Sequence, residues 1–365
     1  MASPMPRLTA ASIRTRLITR PHATFQPVDA FGVGSLTDVA GVRVGHHQRT
    51  GRGWQTGTTV VFVPGGAVAA VDVRGGGPGT RETDALDPRN LVDRIHAICL
   101  SGGSAYGLVA ADGVMQVLET RGLGVSVGPD AAHVVPVVPA AVIFDLGRGG
   151  RFDHRPTAAF GAAAIRRSKA SDVARGAVGA GSGARAGGVQ GGVGMASTEI
   201  TLDRGAVTVA ALAVVNAAGS AFDPRTAAPW TAAPPKLRKP VAAERALLAQ
   251  MVVSPKLQPL NTTIGVVVTD AELARPEAGR LAQSAHDGLA RALRPAHGLF
   301  DGDTVFGLAT GRQPLDSARA RALDRIYTAG ADVFATACVD AVLTASTVGE
   351  TLAYRDVCPS AFGAL

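Results

Sequence analysis

Between residues 222 and 260 the chain carries Pro224, Pro229, Pro234, Pro235, Pro240, Pro255 and Pro259 among scattered basic residues. It then passes directly into Asn261-Thr262-Thr263-Ile264-Gly265-Val266-Val267-Val268-Thr269. Proline has no N–H to give a ladder, so 222–260 reads as a linker carrying one short helix over 242–251. The β-branched run that follows reads as a buried strand. A fold for this chain must therefore bring an extended connection to the head of an interior strand. The surrounding core has to suit small side chains: aromatic residues are only 4% of the chain, whereas glycine contributes 45 residues and alanine 66.

Charge excludes some partners and marks the same boundary. The net charge is +7, but only Lys169, Lys236, Lys239 and Lys256 are lysines, and no dense basic stripe with interleaved aromatics appears. A nucleic-acid face is not expected. Residues 1–261 sum to +10 and residues 262–365 to −3. Arg7, Arg14, Arg16 and Arg20 meet no acidic residue within 1–20. Residues 1–29 are expected to be a flexible extension, with an organelle-type targeting peptide as the alternative.

Cys99, Cys338 and Cys358 are too few and too scattered for a disulfide framework or zinc ribbon. His46-His47 is a poor chelate, because neighbours on a strand face opposite ways. No metal or organic cofactor is expected. The longest apolar stretches, 134–144 and 206–215, are short of a bilayer span. A soluble, cytoplasmic protein without a membrane partner is expected.

Strands are expected within 42–44, 58–63 and, after a Gly65-Gly66 turn, 67–73. Helices are expected over 87–99, 104–121 and 157–167, with a strand over 134–144 between the last two. The glycine-rich stretch 175–194 reads as a long loop; its Gly179–Ala184 match to a dinucleotide fingerprint is weak, since no apolar strand precedes it. A hairpin is expected from 198–202 and 206–215 across Asp203-Arg204-Gly205. After the Thr262 strand come a helix with Pro276 in its first turn, a strand over 304–310, and helices over 315–328 and 331–346. Adjacent strand pairs in blocks point to layered α+β packing.

The Asn261-Thr262 junction carries the chemistry. Cleavage before a hydroxyl residue gives that residue its own base, an α-amine of pKa about 7.7–8.0. This is the threonine–amine form of an activated nucleophile. An ordinary linker meeting a Thr-rich strand, or an Asn-Thr-Thr glycosylation acceptor, are the other readings of the tripeptide. Asp301 and Asp303 flank Gly302 at the head of the next strand, a polar turn or a pair of carboxylates beside Thr262. Tyr106 reads as a core ring or a functional phenol, and Asn216 as a strand-end turn former or an amide donor.

Five ordered motifs tip the balance: Gly34-Ser-Leu-Thr-Asp-Val-Ala-Gly-Val-Arg-Val-Gly-His46, Asp72-Val-Arg-Gly-Gly-Gly-Pro-Gly-Thr-Arg-Glu-Thr-Asp84, Cys99–Gly107, Asn261-Thr-Thr and Phe300–Thr304. Together they resemble the L-aminopeptidase/D-alanine-esterase family, which includes β-peptidyl aminopeptidases and nylon-oligomer hydrolases. The resemblance runs over residues 30–347. It implies a four-layer αββα sandwich like that of N-terminal-nucleophile hydrolases, with different strand connectivity. It implies one catalytic domain over 30–365, self-cleaved into an α chain (1–261) and a β chain (262–365), and a homotetramer of αβ units.

By position, Thr262 matches the nucleophile and Asn261-Thr262 the autocleavage site. Tyr106 and Asn216 match residues that hold the substrate carbonyl or its oxyanion, and Asp301 and Asp303 match the pair that orients the free amine. One position departs: Gly188 stands where nylon-oligomer hydrolases carry a lysine, so if that lysine helps self-cleavage or orients the nucleophile, either Arg185 or another group substitutes for it or maturation is slow. The first expectation is an amide hydrolase of aminopeptidase type acting on small amides or short peptides. Endo-hydrolysis of 6-aminohexanoate oligomers is the close alternative. Acyl transfer of the ornithine-acetyltransferase type, and an inactive binding homologue, are the remaining ones.

Overall fold

The computed structural model describes residues 33–202, 205–231, 237–253, 260–315 and 318–362. The expected extension over 1–29, parts of the linker and the residues Asp203-Arg204 lie outside them. Among the described residues nine strands join in one hydrogen-bonded array: β1 (Arg43–Gly51), β2 (Trp54–Val73), β3 (Thr80–Arg81), β4 (Ile95–Ser101), β5 (Ala140–Val142), β6 (Gly192–Leu202), β7 (Gly205–Asn216), β8 (Thr262–Ala271) and β9 (Thr304–Gln313). Its order is β6-β7-β8-β9-β2-β4-β5-β3, with β1 also on β2. The helices are α1 (Ala110–Glu119), α2 (Ala158–Arg166), α3 (Ala242–Val253), α4 (Arg275–Ala292), α5 (Arg319–Leu343) and α6 (Tyr354–Val357).

The side chains sort this array into layers. β2 is long enough to serve two sheets, pairing with β1 and β4 through its first half and with β9 through its second. Along β2, Val61 and Val63 face a core that also holds Leu212, Val214, Ile264, Val266, Phe306 and Leu308. Val60 and Phe62 face the opposite way, against α1 and α2. Val267, Val305 and Ala309 turn from the central core toward α4 and α5. Period-two alternation thus feeds three cores, and three cores separate four layers: α4/α5, sheet, sheet, α1/α2. This is the αββα sandwich that the motifs implied.

Small residues let neighbouring helices within a layer approach. A Cβ at Gly113 of α1 would lie 1.7 Å from the Ala158 carbonyl of α2, and one at Gly161 would lie 1.9 Å from the Ala110 carbonyl. Reciprocal glycines allow two helix backbones to touch.

Several expected elements differ. The helix foreseen over 87–99 ends in strand β4, whose Ala97/Cys99 and Ile98/Leu100 face different cores. A strand buried on both faces is apolar throughout and loses its alternation signal. Gly65-Gly66 is not a turn; β2 runs through it with a register shift between Phe62 and Ala67. Pro136 and Pro139 break the expected 134–144 strand, leaving Val134–Val135 and β5. The glycine-rich loop ends earlier than expected, because β6 already begins at Gly192.

The two helices expected after 315 are one, α5, continuous through Gly330. α5 is apolar and long enough to cross a membrane, with mean hydropathy 1.4, yet 78% of that stretch is buried inside the protein. The proline-rich connection is no free linker where it is described. Phe222 stacks on Tyr354 at 3.8 Å between ring centroids, and Leu248 of α3 is fully buried.

Candidate active site

β8 lies between β7, antiparallel to it, and β9, parallel to it. All ten of its residues are buried. The register sets Asn216 directly opposite Thr262, and a parallel bridge sets Asn261 beside Asp301. Four of the residues singled out in the sequence (Thr262, Asn216, Asp301 and Asp303), together with Asn261, therefore converge at the head of one central strand.

The peptide bond between Asn261 and Thr262 is held from both sides. The Thr262 hydroxyl donates to the Asn261 carbonyl oxygen at 2.5 Å, and the Gly302 N–H donates to the same oxygen at 3.0 Å. The Asn261 N–H donates to the Phe300 carbonyl at 3.1 Å. Gly302 is tight against the hydroxyl: a Cβ there would sit 2.8 Å from Thr262 Oγ1 and 2.8 Å from the Gly77 carbonyl oxygen.

On the β9 side the carboxylates take different partners. Asp303 accepts the Thr263 N–H at 2.7 Å through Oδ1, while Oδ2 faces His297 Nδ1 at 2.8 Å and accepts the His297 N–H at 3.1 Å. Asp301 accepts the Gly298 N–H at 2.7 Å through Oδ2, while its buried Oδ1 makes no hydrogen bond of full geometry among the described residues, the Ala218 backbone lying close enough to favour the carboxylate. Burial, and then the neighbouring charge of Asp303, raise the Asp301 carboxyl above the ordinary aspartate range. Behind Asp303, the rings of His297 and His286 meet edge-on at 4.9 Å.

On the β7 side the key group is one the sequence reading missed. Arg148 is 5% exposed and donates to Asn216 Oδ1 at 3.0 Å, to Asn261 Oδ1 at 3.3 Å and to the Leu260 carbonyl. Burial and the nearby charge of Arg185 lower its pKa to about 10, against the pull of Asp145. Asp145 is itself buried, accepting from Thr56 Oγ1 at 2.6 Å and from the Gly103 N–H at 2.7 Å. Burial raises its pKa to about 6 despite those bonds. The only sequence signal for Arg148 is its place between Gly147 and Gly149 just past a strand, lost among many arginines. His297, at φ +57° in a loop, leaves no signal at all.

Asn216 is fully buried, and its amide is partly spent. Oδ1 accepts from Arg148 and, at 3.0 Å, from the Arg185 N–H, and Nδ2 donates to the Phe144 carbonyl at 3.2 Å. One Nδ2 hydrogen is left over. Tyr106 behaves differently from the rest. It is 57% exposed on the 3-10 turn Ser104–Val109, with the Arg155 guanidinium 3.8 Å over its ring. That overturns the core-ring reading. Among the described residues no hydrogen bond joins Tyr106 to Thr262; Gly103, at the start of its turn, donates to Asp145.

Gly188 lies in the turn between the short strands Arg185–Ala186 and Val189–Gln190, at φ +90°. A Cβ there would come 2.5 Å from the Met251 carbonyl oxygen of α3, so the position is closed to a lysine. Arg185 meets Asn216 through its backbone N–H, and the cation that touches both Asn216 and Asn261 is Arg148. Among the described residues no cluster of three or more His, Cys, Asp or Glu side chains could hold a metal.

Known proteins agree with this architecture. An uncharacterized aminopeptidase of Mycobacterium bovis is 49% identical over 91% of this chain and 100% of its own. A 6-aminohexanoate-oligomer endohydrolase of Kocuria sp. is 33% identical over 79% of each chain. In three dimensions the L-aminopeptidase D-Ala-esterase/amidase of Ochrobactrum anthropi, a variant of the Ntn-hydrolase fold, superposes with a TM-score of 0.66 at 20% identity over 88% of both chains. A beta-aminopeptidase from Burkholderia sp. gives 0.66 at 21% identity over 94% of this chain and 96% of its own. The family model described as Peptidase family S58 matches residues 34–353. With the fold, the ordered motifs and this match in agreement, the chain is a hydrolase that belongs to peptidase family S58.

Proposed function

We propose that the protein is a self-processing amide hydrolase whose nucleophile is Thr262, released by cleavage of the Asn261–Thr262 bond. One observation carries the reading: the Thr262 hydroxyl lies against the carbonyl of its own preceding residue, while the Gly302 N–H binds the same carbonyl oxygen. In the first step the Oγ1–carbon bond forms, the carbon–nitrogen bond breaks and the hydroxyl proton passes to the departing nitrogen. Water then cleaves the ester, giving an Asn261 carboxylate, a free Thr262 hydroxyl and a free α-amine. The Gly302 N–H faces the oxygen on which negative charge develops, the usual geometry for oxyanion support.

The freed amine is the base for turnover. The buried Asp301 Oδ1 is the acceptor proposed for it, and Asp303, bonded to the Thr263 N–H, fixes the strand head. Substrate hydrolysis repeats the chemistry: Oγ1 attacks an amide carbonyl, the amine leaves, and water deacylates the ester. Asn216, with its spare Nδ2 hydrogen opposite Thr262, and Tyr106 at the exposed edge are the proposed donors to the substrate carbonyl. The mycobacterial relative supports aminopeptidase-type substrates and the Kocuria relative the endo-cleavage of amide oligomers. The buried cation Arg148 favours the second. Four αβ units are the proposed assembly, testable by light scattering.

Purified protein should resolve into two bands on a denaturing gel, the smaller beginning at Thr262 by N-terminal sequencing. Thr262→Ala should remain one chain and hydrolyse no amide. A wild type still uncut after prolonged incubation, or an active Thr262→Ala protein, would reject the mechanism.

A further inference from the structure

We propose that His297 is a positioning residue for the reaction at Thr262. Its Nδ1–H tautomer, backed by His286, locks the Asp303 carboxylate, and Asp303 holds the peptide plane that carries Thr262. The proposal rests on Thr262 being the nucleophile. Among the described residues no hydrogen bond joins His297 to Thr262 itself, so the effect is transmitted through Asp303.

Asp303 is buried, and its neighbours are donors. Oδ1 takes the Thr263 N–H, the amide directly after the Thr262 carbonyl, at 2.7 Å. Fixing that amide fixes the plane from which the Thr262 hydroxyl is presented. Oδ2 takes the His297 N–H at 3.1 Å and faces His297 Nδ1 at 2.8 Å. A carboxylate oxygen facing a ring nitrogen at this distance accepts, so Nδ1 carries the ring proton. Among the described residues His297 is the one ion-pair partner of Asp303. Cys338 of α5 feels the Asp303 charge, but burial and then that charge hold its thiol above the usual range, so it supplies no countercharge. Without the imidazole, Oδ2 keeps one donor and the carboxyl group can turn about its own bond, loosening Thr263.

The His297 ring is itself held. It meets the His286 ring edge-on at 4.9 Å between centroids. His286, on α4, faces the Asp72 carbonyl of β2 through Nε2 at 3.0 Å. A carbonyl only accepts, so Nε2 bears the His286 proton, and burial lowers the pKa of this ring and favours its neutral form. The nitrogens left over, His286 Nδ1 and His297 Nε2, are both buried without a hydrogen-bond partner among the described residues. Each ring is therefore fixed by one acceptor in one tautomer. Asp72 lies opposite Val305 of β9. A line of contacts thus runs from β2 through His286, His297 and Asp303 to the head of β8.

The test compares two substitutions that both suit the φ of +57° at this position. His297→Asn puts an amide N–H where Nδ1–H stood, and His297→Gly removes the donor. Self-cleavage after cell-free synthesis is followed by intact mass. It should slow by about tenfold to a hundredfold in His297→Gly and stay within about threefold of the wild type in His297→Asn. In matured enzyme, assayed with a 6-aminohexanoate trimer and with alanine p-nitroanilide, His297→Gly should lose kcat at unchanged KM. If neither compound is turned over, the self-cleavage rates decide alone. Equal rates in His297→Gly and wild type, an Asn variant as slow as the Gly variant, or a loss carried by KM would overturn the proposal.

Should His297→Gly not fold, solid-state NMR of histidine-labelled Thr262→Ala protein decides. The signal that disappears on adding His297→Asn should report a proton on Nδ1 and none on Nε2, and any other state would reject the proposal. A wild type that stays uncut defeats the nucleophile reading and this proposal with it. A wild type that cuts itself no faster than His297→Gly defeats this proposal alone.

Discussion

At the scale of single residues, Asp145 couples the fold to pH in one direction and the chemistry in the other. Its folded pKa of about 6 lies above its ordinary 3.8, so the folded chain binds this proton more tightly than the unfolded one. The group therefore adds stability as pH falls from about 6 toward 4, and that contribution is lost as pH rises through 6. Protonation also removes the anion that supports Arg148, so self-cleavage and turnover should decline below pH 6. Asp145→Asn should abolish that acid limb in the rate-against-pH profile and flatten the matching slope in thermal midpoint. A wild-type limb surviving unchanged in the variant would assign it elsewhere. Gly302 offers a second residue-scale prediction. Its missing Cβ is the space the Thr262 hydroxyl uses, so Gly302→Ala should push Oγ1 off line and slow self-cleavage by about a hundredfold, read by intact mass over time. Cleavage at the wild-type rate would show that the close approach is incidental.

At the scale of elements, the sequence announced strands better than it announced their neighbours. β8 and β9 were readable because β-branched runs end at Gly and Asp turns, and α4 because Pro276 opens a regular apolar stripe. β4 reads as helix in the sequence because burial on two faces erases the alternation that distinguishes a strand. Gly65-Gly66 within β2 reads as a turn because paired glycines favour one, whereas the strand runs on through a register shift between Phe62 and Ala67. The site divides along the same line. Thr262, Asn216, Asp301 and Asp303 sit at strand ends flanked by turn residues and could be found. Arg148 and His297 come from loops whose course is set by packing far away in the chain. An arginine gains meaning here only when Asn216, Leu260 and Asn261 are brought to it, and none of those contacts is local. The Gly188 departure, which looked like a defect, turns out to be a turn glycine held against α3.

At the scale of the whole molecule, both proposed chains build the same sheets. β8 and β9 come after residue 261, yet they sit between β7 and β2, which come before it. The +10 and −3 halves are therefore expected to stay together after cleavage, through backbone ladders on both flanks as well as by charge. In the mature protein, heating should melt both chains in one transition. Separate melting of the two chains in scanning calorimetry would contradict this interleaving.

The interleaved strand has a further result for the life history of the molecule. While Asn261 and Thr262 are joined, β8 is delivered to its slot by the chain itself, and folding is a first-order event. Once the bond is cut, regaining the same slot after full unfolding requires two separate polypeptides to meet. Refolding of Thr262→Ala should be independent of concentration, whereas refolding of the mature protein should slow and lose yield on dilution. The proposed cut would work as a one-way latch: it would arm the nucleophile and erase the instructions for rebuilding the site, and a matured enzyme would then rely on the height of its unfolding barrier to persist.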